Sequence, residues 1–119
     1  MSQASVKHAP MNQAYDRDKL VELFGNDPGT LAEVEREFLD TAREAALEIA
    51  ATDDLTVIAR AAHRLKGASG MIGAASLRQI AEAVERAAKA EDLPSVRRMH
   101  DVFRHEVKRV ADQAGLAED

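Results

Sequence analysis

The chain of 119 residues has no cysteine and no tryptophan, only six glycines and three prolines, and few aromatics: Tyr15, Phe24, Phe38 and Phe103. Without cysteine there is no disulfide and no thiolate metal site, and the redox compartment is left open. No apolar run is long enough for a membrane span, so no membrane partner is expected. The opening MSQASVKHAP lacks an apolar signal core, which makes the cytoplasm the expected compartment. No serine sits in a G-x-S-x-G turn. The run GASGMIG at 67–73 closes a helical pattern and lacks the P-loop lysine, so no ATP site and no autokinase activity are expected. Neither H-E-x-x-H nor the Glu-x-x-His pairs of di-iron bundles occur, and no metal site is expected.

Acidic charge is missing from a long stretch in the middle of the chain. Residues 55–81 hold Arg60, Arg64, Lys66 and Arg78 and no Asp or Glu, a local charge of +4. The whole chain carries -5, so the remainder carries -9. A basic surface on an acidic protein suits a local anionic partner. Nucleic acid would want a larger basic footprint and is not expected.

What is abundant is alanine, and the patterning is helical. Residues 1–14 read as a disordered leader and 116–119 as a frayed tail, with one domain over 15–115. A short helix over 16–24 offers Leu20, Leu23 and Phe24 and stops at Gly25. Asp27-Pro28 starts a long helix to residue 51, with Leu31, Val34, Phe38, Ala42, Ala45 and Ile49 as its stripe. Thr52-Asp53-Asp54 caps a third helix, which Gly73 ends. Ser76 and Gln79 fit a capping box for a fourth helix that runs to residue 91. Its inward side is Leu77, Ile80, Ala81, Val84 and Ala88. A last helix over 94–114 carries Val96, Met99, Phe103, Val107 and Val110 inward, and Gly115 stops it. Short connections make neighbours antiparallel. The expected fold is all-α, an up-down-up-down four-helix bundle with a short additional N-terminal helix.

The third helix organises the chain. Leu55, Ile58, Ala62, Leu65, Ser69 and Ile72 share one apolar face, and His63 is turned well away from it. Beside His63 lie Ala59 and Arg60 one turn before, Lys66 and Gly67 one turn after, and Gly70 beyond. Glycine inside a helix costs about 1 kcal/mol relative to alanine. Gly67 and Gly70 both accept that cost beside the imidazole. A neutral imidazole is a good nucleophile toward phosphorus. Lys66 is placed to stabilise phosphoryl charge, and Gly67 clears the approach of another protein. Arg60 and Arg64 add positive field. The competing interpretation is an ordinary exposed histidine on an alanine-rich helix. His8, His100 and His105 are expected to be solvated surface groups.

His63-Arg64-Leu65-Lys66-Gly67 resembles the H-x-x-K-G signature of histidine-containing phosphotransfer (HPt) domains of two-component phosphorelays. Gly73-Ala74, Leu77 and Ala83-Val84-Glu85 also look like that family, and the likeness covers roughly residues 16–114. The resemblance implies that His63 accepts a phosphoryl group from a receiver-domain aspartate and passes it to another receiver. It implies that Lys66 assists and that Gly67 permits docking; Ala59, Arg60, Arg64, Gly67 and Gly70 are the expected receiver-docking residues. It also implies response-regulator receivers and a hybrid histidine kinase as partners, with no cofactor of its own and Mg²⁺ brought by the receiver. Dimerising kinase domains contribute two long helices per chain. This chain supplies four, so a monomer is expected. The alternatives are a helical interaction module that docks a partner on the His63 face without phosphorylation, and a metal-binding bundle.

Overall fold

The structure is a computed structural model and describes residues 13–116. Six helices follow one another: α1 (Arg17–Phe24), α2 (Pro28–Ala51), α3 (Leu55–Met71), α4 (Ala75–Lys89), α5 (Leu93–Arg98) and α6 (His100–Ala114). The four long ones close a ring in which α2 packs on α3, α3 on α4, α4 on α6 and α6 on α2. This is the expected all-α bundle, with α1 against α2 and α5 bridging α4 and α6. Among the described residues no helix is long and apolar enough to cross a membrane.

Side-chain caps set most of the helix starts. Asp16, Asp27, Asp54 and Asp92 each accept a backbone N–H from the first turn of the following helix. The expected Ser76–Gln79 box does not form. Helix α4 starts at Ala75, and its N-cap is Ala74, which has no side-chain cap bond. Ala74 is fully buried, and its N–H already bonds to the Ser69 carbonyl at 2.9 Å. An apolar contact therefore occupies the place where a polar cap would sit. Gly73 makes the tight reversal possible with φ +71°, and a Cβ there would come within 2.7 Å of Asp16 Cβ.

The apolar stripes form the core. Ile58, Ala62, Leu65 and Ser69 of α3 have no exposed surface. Burial of a leucine such as Leu65 contributes about 1.5–3 kcal/mol. Helices α3 and α4 pack on one another, and each buries small side chains, Ala61 and Ala62 on α3 and Ala81 and Ala88 on α4.

Several expectations need correction. Leu23 and Phe24 are 54% and 38% exposed, because α1 turns mainly Leu20 inward. Most of the expected leader, residues 1–12, lies outside the described residues. Ala14, however, is buried, and the Gln113 side chain accepts its N–H at 2.6 Å. Leu116, expected in the frayed tail, packs on the core and donates its N–H to Ala111 at 2.8 Å; residues 117–119 lie outside those described. The single last helix is two, broken at Met99. Arg97 of α5 anchors that segment to the end of α2, donating to the Ile49 carbonyl at 2.8 Å, to the Thr52 carbonyl and to Asp53 at 2.7 Å.

Candidate functional site

His63 stands on the outer side of α3 with its side chain 67% exposed. The acid-free stretch around it does not leave it without an acid. Glu85 reaches across from α4, and its Oε2 lies 3.0 Å from His63 Nδ1. The same carboxylate takes Lys66 Nζ at 2.9 Å on Oε1 and Lys89 Nζ at 3.0 Å on Oε2. Glu85 itself is only 5% exposed. A buried carboxylate is tolerable when its oxygens are paired in this way. Its bond with Lys66, helped by Lys89 and His63, lowers its pKa to about 2 against the upward push of burial.

That ionisation fixes the chemistry of the ring. An ionised carboxylate can only accept hydrogen bonds. His63 Nδ1 must therefore be the donor, and in the neutral ring the lone pair lies on Nε2. No group among the described residues bonds to Nε2. The result is an oriented, solvent-facing nitrogen nucleophile.

The other expected site residues fall into two sets. Gly67 is exposed, and a Cβ there would meet nothing within 4 Å, so the fold does not require glycine at that position. Ala59 is half-buried and Arg60 is exposed on the same helix. Lys66 is half-buried and held by Glu85 rather than reaching into solvent. Arg64 turns aside to pair with Glu48 of α2 at 2.8 Å. Gly70 faces the Arg78 side chain, 3.5 Å from where its Cβ would be, and its carbonyl accepts from Lys19 Nζ at 3.0 Å. His100 is half-buried, His105 is exposed, and His8 lies outside the described residues. No cluster of three or more His, Asp or Glu side chains suited to a metal ion occurs among the described residues.

Sequence reasoning passed over Glu85 and Lys89 as site residues. A signal was present. Glu85 lies four residues after Ala81 and three before Ala88, on the buried stripe of α4, where a charge needs partners. Lys89 follows four residues later.

No curated protein and no solved structure gives a significant match to the chain. The family model of the Hpt domain matches residues 30–113, a span that takes in all of α3 and α4 and ends within α6. The chain therefore belongs to the Hpt domain family, which has a phosphotransfer role in two-component signalling and works with receiver domains and histidine kinases.

Proposed function

We propose that His63 Nε2 takes a phosphoryl group from the aspartate of a receiver domain and passes it to a second receiver. The observation that carries this is an exposed imidazole whose Nδ1 is bonded to a buried, ionised carboxylate. The Nε2 lone pair forms the N–P bond as the P–O bond of the aspartyl phosphate breaks. The bonding pair leaves with the aspartate and restores its carboxylate. The Nδ1 proton stays against Glu85, whose negative charge offsets the positive charge the ring acquires. Transfer onward is the reverse of this step. Lys66 neutralises Glu85 in the free protein and is within one helical turn of the phosphoryl group, where its ammonium supports the added charge. Gly67 leaves the approach open. Mg²⁺ is held by the receiver rather than by this chain. The protein works as a cytoplasmic monomer between a hybrid histidine kinase and a response regulator.

The test is transfer from a ³²P-phosphorylated receiver. The parent chain should gain acid-labile, base-stable label. His63→Gln should gain none and melt like the parent, because an exposed side chain leaves no cavity. Label on the variant would remove His63 from its role. A parent that gains none would leave a docking module without phosphorylation.

A further inference from the structure

Among the described residues only one non-glycine residue has positive φ: Glu91, at +60° in the turn between α4 and α5. The turn closes α4 with two reverse bonds. Glu91 N–H donates to the Ala88 carbonyl at 3.0 Å, and Asp92 N–H to the Ala87 carbonyl at 2.9 Å. Glycine ordinarily takes this position, because a Cβ crowds the neighbouring carbonyl in the left-handed region. Glutamate recovers nothing inside the chain in return. Its side chain is exposed, and its carboxylate has no hydrogen bond or ion pair among the described residues.

Glu91 instead lines a shallow groove between the start of α3 and the end of α4, with Leu55, Thr56, Ala59, Ala88 and Lys89. The groove adjoins the phosphoacceptor site through two of its lining residues. Ala59 is one turn before His63, and Lys89 is bonded to Glu85. Of the two charged residues that line the groove, Lys89 is already committed to Glu85. What remains is a floor in which Leu55, Ala59 and Ala88 are apolar, with one free carboxylate on its rim. Unfavourable backbone geometry without internal compensation, on the rim of a groove that adjoins the phosphoacceptor site, points to a role toward a partner.

We propose that Glu91 is a specificity-determining residue for the receiver. The receiver lays an apolar segment in the groove and sets a lysine or arginine against the Glu91 carboxylate. The proposal rests on the phosphotransfer role assigned to His63 above. A rim charge acts on encounter and partner choice rather than on the chemical step. Its removal should therefore raise KM and leave kcat unchanged.

The experiment loads His63 directly with phosphoramidate, which needs no receiver, and then follows transfer to a panel of purified receiver domains from the same organism. Glu91→Gly should load like the parent and melt higher, because glycine relieves the left-handed strain. Its kcat/KM toward the preferred receiver should fall about 3–10-fold through KM. The deficit should fade at about 0.5 M salt. Glu91→Gln keeps the Cβ, so it should show the same transfer deficit without the higher melt. If Glu91→Gly melts higher and serves every receiver as the parent does, the strain is merely tolerated and the proposal fails. A parent chain that loads yet passes phosphate to no receiver overturns the phosphotransfer role itself, and Glu91's role falls with it.

Discussion

Glu85→Gln tests the chemistry of the site most directly. The change is nearly isosteric, so packing on α4 should survive it. What it removes is a negative charge that binds His63, Lys66 and Lys89 together. Two of these partners, His63 and Lys89, are 67% and 68% exposed, so water replaces most of what they lose. Lys66, at 27% exposed, is the partner that matters for stability. A charge-assisted hydrogen bond is worth about 1.5–3 kcal/mol, and the substitute amide oxygen restores part of it. The expected net cost is about 1–2 kcal/mol, or a fall in Tm of about 4–8 °C for a domain of this size. The cost should depend on pH. Glu85 ionises near pH 2 in the folded protein and near 4.5 unfolded, so its folded pKa is depressed. Its stabilisation is complete above about pH 4.5 and is lost as pH falls toward 2. The Tm gap between parent and variant should be full at pH 7 and close over that acid window. Function should suffer more. The amide can offer either its oxygen or its N–H₂ to Nδ1, so Nε2 no longer holds the lone pair by default. Loss of such an orienting partner costs about 10–100-fold, read as the rate of transfer from a phosphorylated receiver at saturation. Parent-like transfer would show that Glu85 does not set the tautomer. A Tm gap that persists unchanged down to pH 3 would show that its charge is not what stabilises the fold.

Four further substitutions separate folding from function. Gly67→Gln should keep or raise Tm, since helix propensity improves by about 0.5–1 kcal/mol and the position is open, while transfer slows about 100-fold; an early melt would mean that this face of α3 is not free. Lys66→Ala should lower kcat for transfer and let the Glu85 pKa rise toward its ordinary value, visible by NMR titration of the carboxyl carbon; a carboxyl that still titrates near 2 would assign the depression to Lys89 and His63. Ser69→Ala removes a fully buried hydroxyl that has no hydrogen-bond partner among the described residues, so stability should rise by about 0.5–1 kcal/mol in denaturant titration, and a fall would expose a missed partner. Arg97→Ala strips the guanidinium from the α2 carbonyls of Ile49 and Thr52 and from Asp53, and should cost about 2–3 kcal/mol with transfer unchanged below the melt; an unaltered Tm would mean that water serves those carbonyls equally well.

The sequence by itself determined the helices and the outward turn of His63. Periodicity assigns Ile58, Ala62, Leu65 and Ser69 to one face, and a side chain 100° off that face has to leave the core. Asp27-Pro28 and Asp54 mark helix starts because their carboxylates meet backbone N–H groups only three residues away at most. These are local effects, and local spacing reports them. The break at Met99 is not local. No glycine or proline marks it, and it lies where α5, tied by Arg97 to the end of α2, gives way to α6 in the bundle. The failure of the Ser76–Gln79 box has the same origin, since Ala74 is drawn into the core by its contacts with the rest of the bundle. Most consequential for function, residues 55–81 carry no acid in the sequence, yet the acid that orients His63 stands 22 residues away on the next helix. Only the packing of α3 on α4 brings Glu85 within hydrogen-bonding distance of Nδ1. Which nitrogen of the imidazole is the nucleophile was therefore decided by tertiary structure, because a tautomer is set by the partner across the helix interface and not by the chain that carries the ring.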